Sequence, residues 1–174
     1  MRVADAIADW LAEKKIVTAF GIIGGGNVVL FDAIQAKGAT RIVCTHHEQA
    51  AAMASTYHNR ICGYLGSAVL CTTGAGSTNA ITGVMAAFMD SIPLLVISGN
   101  DPWKSILTNT RVKGTQGFDS RLMAAQMTVH SEMALGDIRT HLERCWREAL
   151  GLNANKRQGP AWLDVPKDRA NATI

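Results

Sequence analysis

Aromatic residues make up only 6% of the chain, and its two tyrosines, Tyr57 and Tyr64, form no platform on which successive bases could stack. Charge of one sign is scarce as well. The 17 Lys and Arg against 14 Asp and Glu leave a formal +3, and basic residues gather only at Lys14-Lys15, Lys156-Arg157 and Lys167 to Arg169. A nucleic-acid surface shows a clustered basic stripe, so no nucleic-acid partner is expected. The four cysteines, Cys44, Cys62, Cys71 and Cys145, have no CxxC spacing, and two lie in apolar strand-like runs. They read as buried free thiols. No apolar run approaches the length of a membrane span. Met1-Arg2-Val3 leads straight into a segment carrying Asp5 and Asp9, without a basic n-region before an uncharged apolar core. A cytoplasmic protein without membrane association is expected.

What is present is core-forming material, 48% hydrophobic against 18% charged in 174 residues. That suits one well-buried domain covering 1–174. Val3, Ile7, Trp10 and Leu11 recur at helical spacing, with Asp5, Asp9 and Glu13 on the other face. The β-branched run Ile16 to Ile23 reads as a strand buried on both faces and stops at Gly24-Gly25-Gly26. Helices are expected from about Val28 to Ala36, Glu48 to Asn59 and Ser77 to Met89, and another with Ile138, Leu142, Cys145, Trp146 and Leu150 on one face. Strands are expected over Arg41 to Thr45, Gly66 to Cys71, Pro93 to Ser98, Met127 to His130, and Trp162 to Val165. Such alternation predicts an α/β fold, a doubly wound, mostly parallel sheet of about six strands flanked by helices. Between Gly99 and Ser120 periodicity is lost, and a loop of that length in a compact domain is usually functional or mobile.

Two stretches carry chemistry. His46-His47-Glu48-Gln49-Ala50-Ala51 sets one carboxylate at the start of a helix directly after the strand Ile42-Val43-Cys44. Thr72-Thr73-Gly74-Ala75-Gly76-Ser77-Thr78-Asn79 repeats the arrangement with glycines after Ala68 to Cys71. Both turns fall at the carboxyl edge of a parallel sheet, where such folds place ligands. Glu48 alone is compatible with acid-base work or with a favourable charge at a helix amino terminus, worth about 0.3 to 1 kcal/mol. His46 and His47, adjacent in an extended stretch, point to opposite faces and make a poor chelate, so one of them is expected to line the cleft. The glycine turn lacks the Walker and dinucleotide spacings and is equally a packing turn. Gly24-Gly25-Gly26 permits close backbone approach to a ligand, or is a flexible connection. Gly136-Asp137 reads as a helix cap.

Together with Phe20-Gly21, Asp90-Ser91-Ile92-Pro93 to Gly99, and Gly159-Pro160-Ala161-Trp162-Leu163-Asp164-Val165-Pro166, these motifs resemble the amino-terminal, pyrimidine-binding domain of thiamine diphosphate enzymes of the acetolactate synthase group. The resemblance runs from Ala4 to about Asp168. It implies that Glu48 is catalytic, hydrogen-bonding a ring nitrogen of the aminopyrimidine and shuttling a proton there. That task needs a carboxyl group out of bulk water. It also implies that Thr73, Gly74, Gly76 and Asn79 join Glu48 in binding the cofactor, and that Gly25, Gln116 and Phe118 face the substrate pocket. Ala75 stands where the family usually has proline, Gly117 and Asp119 alter the pattern around Gln116, and Thr56-Tyr57-His58-Asn59-Arg60 replaces a Gly-Tyr-Ala-Arg run.

No Gly-Asp-Gly with a downstream Asn pair occurs, so by this resemblance the chain binds no metal. Thiamine diphosphate and magnesium are then held largely by a diphosphate-binding domain or subunit of the same enzyme, in a homo- or hetero-oligomer. The expected function is that of the pyrimidine-binding domain or subunit of a 2-oxo acid decarboxylase/carboligase, a lyase or transferase of which this chain holds half the active site. The alternatives are the α subunit of a two-chain sulfopyruvate- or phosphonopyruvate-type decarboxylase, and a non-catalytic structural or regulatory partner with the same fold.

Overall fold

Strand and helix alternate through the computed structural model, which describes residues 1–107, 114–153 and 156–174. The elements run α1 (Val3–Glu13), β1 (Thr18–Gly21), α2 (Val28–Lys37), β2 (Arg41–Cys44), α3 (Glu48–Cys62), β3 (Ser67–Cys71), α4 (Ala75–Met89) and β4 (Leu94–Asn100). After the short helices α5 (Trp103–Leu107) and α6 (Ser120–Ala124) come β5 (His130–Met133), α7 (Ile138–Ala149), β6 (Pro160–Pro166) and α8 (Lys167–Ala170). All paired strands are parallel, in the order β2-β1-β3-β4-β6-β5.

Successive side chains of a strand point to opposite faces, so a sheet covered on both sides needs apolar residues at every position. The central strands meet that demand except at buried Ser67, Ser98, Asn100 and Asp164. Leu70, Leu95, Ile97, Leu163 and Val165 face a core shared with α1, α2 and α7. Their neighbours Val69, Cys71, Leu94, Val96 and Trp162 face a second core shared with α3 and α4. This is the doubly wound arrangement. Where α7 begins, the Asp137 carboxylate accepts from the Thr140 backbone N–H at 2.8 Å, the cap expected of Gly136-Asp137. No helix among the described residues is long and apolar enough to cross a membrane.

Three expectations need correction. The run Ile16 to Ile23 forms a strand only over Thr18–Gly21, alternating half-buried and buried, and Val17 and Ile23 are exposed. The strand expected at Met127 to His130 lies at His130–Met133, because Ala125–Met127 close a 3-10 turn first. Of the cysteines only Cys71 and Cys145 are buried. Cys44 ends the outermost strand β2 and Cys62 ends α3, and both are exposed. Thr108 to Lys113 of the long loop lie outside the described residues.

Candidate active site

From β1 the chain passes to β2 on one side and returns to β3 on the other. The carboxyl ends of β1 and β3 therefore flank a topological switch point, the crevice where open α/β sheets hold ligands. Gly24-Gly25-Gly26 follows the first strand and Thr72 to Gly76 the second.

Glu48 is the first residue of α3 and only 6% exposed. The preceding His47 caps the helix, its Nδ1 accepting from the Gln49 backbone N–H at 3.2 Å. One oxygen of the carboxylate, Oε2, accepts from Asn79 Nδ2 at 3.0 Å, across from α4. The other, Oε1, lies beside Gly76. A Cβ on Gly76 would stand 3.0 Å from Oε1 and 2.6 Å from Thr72 Cγ2, so glycine is what leaves room beside this oxygen. The Cys71 thiol beneath is held far above its usual range by burial and by the Glu48 charge.

The glycine turn opens a second region. Gly24 N–H donates to Asn27 Oδ1 at 2.7 Å and Asn27 Nδ2 to the Ile22 carbonyl at 3.0 Å, which shapes the triglycine turn. Gly26 N–H donates to Thr72 Oγ1 at 3.2 Å, tying that turn to β3. Thr73 Oγ1 donates to Gln116 Oε1 at 2.7 Å. Gly74, at φ 55, backs onto Thr115 and Gln116, whose Cα would be 2.6 Å from a Cβ there. A cleft of about 440 Å³ results, lined by the three glycines, Thr72, Thr73, Asp101, Gln116 and Lys167.

The loop bearing Gln116 is pinned by a buried acid. Asp164 accepts from Ser98 Oγ at 3.1 Å, Asn100 Nδ2 at 2.7 Å and Ser120 Oγ at 2.8 Å. Trp162 Nε1 donates to the same Ser98 hydroxyl at 2.8 Å. Complete burial pushes the Asp164 carboxyl up to about 6, although the three hydrogen bonds pull the other way. Asn100 Nδ2 also donates to the Phe118 carbonyl at 3.2 Å.

The sequence candidates thus fall into two groups. Glu48, Gly76 and Asn79 meet at one point, while Gly25, Thr73 and Gln116 line the cleft and Gly74 supports it. Phe118 is not among the cleft-lining residues. Neither is His46 or His47, contrary to expectation: both are exposed, and the ring of His47 is used as a cap. Thr72, Asp101 and Lys167 were not singled out from sequence. Each directly follows the last residue of a strand, β3, β4 and β6, and that position at the carboxyl edge is the signal that marks them.

Comparison with known proteins adds the family. A family model described as thiamine pyrophosphate enzyme, N-terminal TPP binding domain, matches residues 1–127. Acetolactate synthase of Arthrospira platensis is 33% identical over 174 residues, 98% of this chain and 29% of that protein. The acetolactate synthase isozyme 3 large subunit of Escherichia coli (strain K12) is 32% identical over 169 residues, 97% of this chain and 28% of that protein. The acetolactate synthase large subunit of Corynebacterium glutamicum is 30% identical over 174 residues, 98% of this chain and 26% of that protein. The chain spans less than a third of the length of these relatives.

Proposed function

This chain belongs to the thiamine pyrophosphate enzymes as an N-terminal TPP-binding domain, and from that premise we propose that residues 1–174 are one pyrimidine-binding domain in which Glu48 manages a proton for a cytoplasmic 2-oxo acid decarboxylase/carboligase. The observation that carries the reading is the Glu48 carboxylate. It is buried, fixed through Oε2 by Asn79, and its Oε1 lies against a glycine that has no side chain. Those residues fit a flat heteroaromatic ring: one directed oxygen for a ring nitrogen, with no side chain on Gly76 to obstruct it.

When bound, thiamine diphosphate supplies the carbon nucleophile and the electron sink for loss of carbon dioxide from a 2-oxo acid. Glu48 Oε1 holds or releases the proton facing the pyrimidine, and Asn79 keeps the carboxylate from rotating. Gly25, Thr73 and Gln116 form the substrate side. Magnesium and the diphosphate are assigned to a diphosphate-binding domain or subunit of the same enzyme. Among the described cleft-lining residues Asp101 is the sole carboxylate, whereas Mg²⁺ prefers six oxygen ligands. Exposed Tyr57 and Ile61 on α3 and Met85 and Met89 on α4 support such a partner. The acetolactate synthase relatives favour a carboligase over a two-chain decarboxylase.

Glu48→Gln in the assembled enzyme tests the assignment. The amide keeps the shape and cannot exchange the proton. Carbon dioxide release from pyruvate is expected to fall by ~10² to 10⁴ with an unchanged circular dichroism spectrum. A wild-type rate would remove Glu48 from the mechanism.

A further inference from the structure

Strand β5 forms one edge of the sheet, and α7 packs over it. His130 and Glu132, two residues apart, share a strand face, and His141 and Cys145, four apart, share a helix face. Their packing gathers mixed N, O and S groups around one carboxylate, and none of them lines the cleft.

The two oxygens of Glu132 have different surroundings. Oε2 is held by His141 Nδ1 at 2.9 Å and Arg144 Nη1 at 2.7 Å. His141 Nε2 accepts from the Gly136 backbone N–H at 3.2 Å, which leaves Nδ1 as the protonated, donating nitrogen. Oε1 faces His130 Nε2 at 3.1 Å and Cys145 Sγ at 3.8 Å. The His130 nitrogen is buried, its approach to Oε1 is an ion pair without the alignment of a hydrogen bond, and it has no hydrogen-bond partner among the described residues. The ion cluster accounts for Oε2, while Oε1 is left with the His130 ion pair and a weak thiol contact.

One potential ligand atom from each of His130, Glu132 and Cys145 lies within 4.8 Å of the other two. Around a tetrahedral ion with bonds of ~2.0 to 2.3 Å, ligand atoms stand ~3.3 to 3.6 Å apart. Separations of 3.1 and 3.8 Å bracket that range. We propose that His130, Glu132 and Cys145 form a binding site for a borderline-soft divalent cation of the zinc class, which joins the edge strand to α7. Hard cations are disfavoured by the nitrogen and sulfur donors. His141 and Arg144 orient the ligating carboxylate from outside, as outer partners of metal ligands do. The thiol gives its proton to solvent as the sulfur–metal bond forms, and water takes the fourth position.

Cobalt(II) titration tests the proposal. The host is the full chain carrying Cys44→Ser and Cys62→Ser, because both of those thiols are exposed and Cys62 Sγ lies 3.9 Å from His58 Nδ1. One equivalent of Co²⁺ is expected to give intense visible bands of a tetrahedral ion and a near-ultraviolet thiolate charge-transfer band, both abolished by one equivalent of Zn²⁺. Adding Cys145→Ser should remove the charge-transfer band, and His130→Gln should weaken binding at least ten-fold. His141→Asn should keep the band and weaken binding about 10- to 100-fold. Only the weak spectrum of hydrated cobalt, or bands that survive Cys145→Ser, would overturn the site. Should a variant fail to fold, the host decides alone: Zn²⁺ must raise its Tm and Mg²⁺ must not, and no Zn²⁺ shift refutes the proposal.

Discussion

Asp164 is fully buried, and its carboxyl sits near 6 in place of the usual 3.8, chiefly because burial disfavours the charge. Asp119's charge adds to the same direction, while the hydrogen bonds from Asn100, Ser120 and Ser98 oppose it. Between about pH 4 and pH 6 the folded chain therefore holds a proton that the unfolded chain has released. Stability from this group is fully present below pH 4 and falls as pH rises through 6. The difference of about two pKa units corresponds to about 3 kcal/mol. Asp164→Asn cannot titrate. Urea unfolding from pH 4 to 7 should show the wild type losing up to about 3 kcal/mol more than the variant, and parallel curves would place the pH dependence in other groups. At Gln116 a different outcome is expected. Its Oε1 accepts from Thr73 at the cleft wall, on the loop pinned by Asp164. Gln116→Ala should shift the kcat/KM ratio between two 2-oxo acids by roughly ten-fold and leave thiamine diphosphate affinity unchanged. Equal loss for every substrate together with lost cofactor binding would assign Gln116 to the cofactor.

Helices α3 and α4 meet through small residues, and that closeness lets Asn79 reach Glu48. A Cβ on Gly83 would stand 2.5 Å from Ala52 Cβ and 3.1 Å from the Gln49 carbonyl. Gly83→Ala should thus force the pair apart, at a cost of about 1 to 3 kcal/mol in chemical denaturation. It should also lower activity by loosening the Glu48–Asn79 contact, and undiminished stability would show that the helices accommodate the methyl. Asn59 anchors the other end of α3: its Oδ1 accepts from Gly66 N, Ser67 N and Ser67 Oγ, and its Nδ2 donates to the Pro93 carbonyl at 3.0 Å. Elements of this kind were legible in sequence where burial dictates composition. β3, β4 and β6 are buried along their whole length and mostly apolar, and α7 buries Ile138, Leu142, Cys145 and Ala149 on one face. Strand β5, with its sequence His-Ser-Glu-Met, is a half-buried edge whose polar residues carry no strand period. Glu48 was visible from its motif, but Asn79 as its partner depends on helix packing across 31 residues. The Asp164 network was invisible because it joins β4, β6 and α6 through polar side chains with no shared spacing.

The whole molecule presents a finished core and an unfinished surface. Ile61 is 84% exposed and Met89 70%, on the two helices that carry Glu48 and Asn79. In the proposed reading these exposed apolar side chains meet a partner. Among its described lining residues the cleft offers a diphosphate one lysine, Lys167, together with Asp101 of opposite sign. If the cofactor binds as proposed, the described cleft residues leave most of its charge uncompensated. A contact set limited to the pyrimidine half corresponds to a dissociation constant of ~1 mM or weaker, about 4 kcal/mol of binding. The isolated chain should be folded, self-associating and catalytically silent. Ile61→Lys with Met89→Lys should shift it toward monomer in sedimentation velocity, since both charges would have to be buried at any contact formed by this face. Calorimetry completes the argument. Thiamine diphosphate with magnesium should give little heat with the isolated chain and strong heat once a diphosphate-binding partner is added, and tight magnesium-dependent binding without any partner would place the diphosphate within this domain.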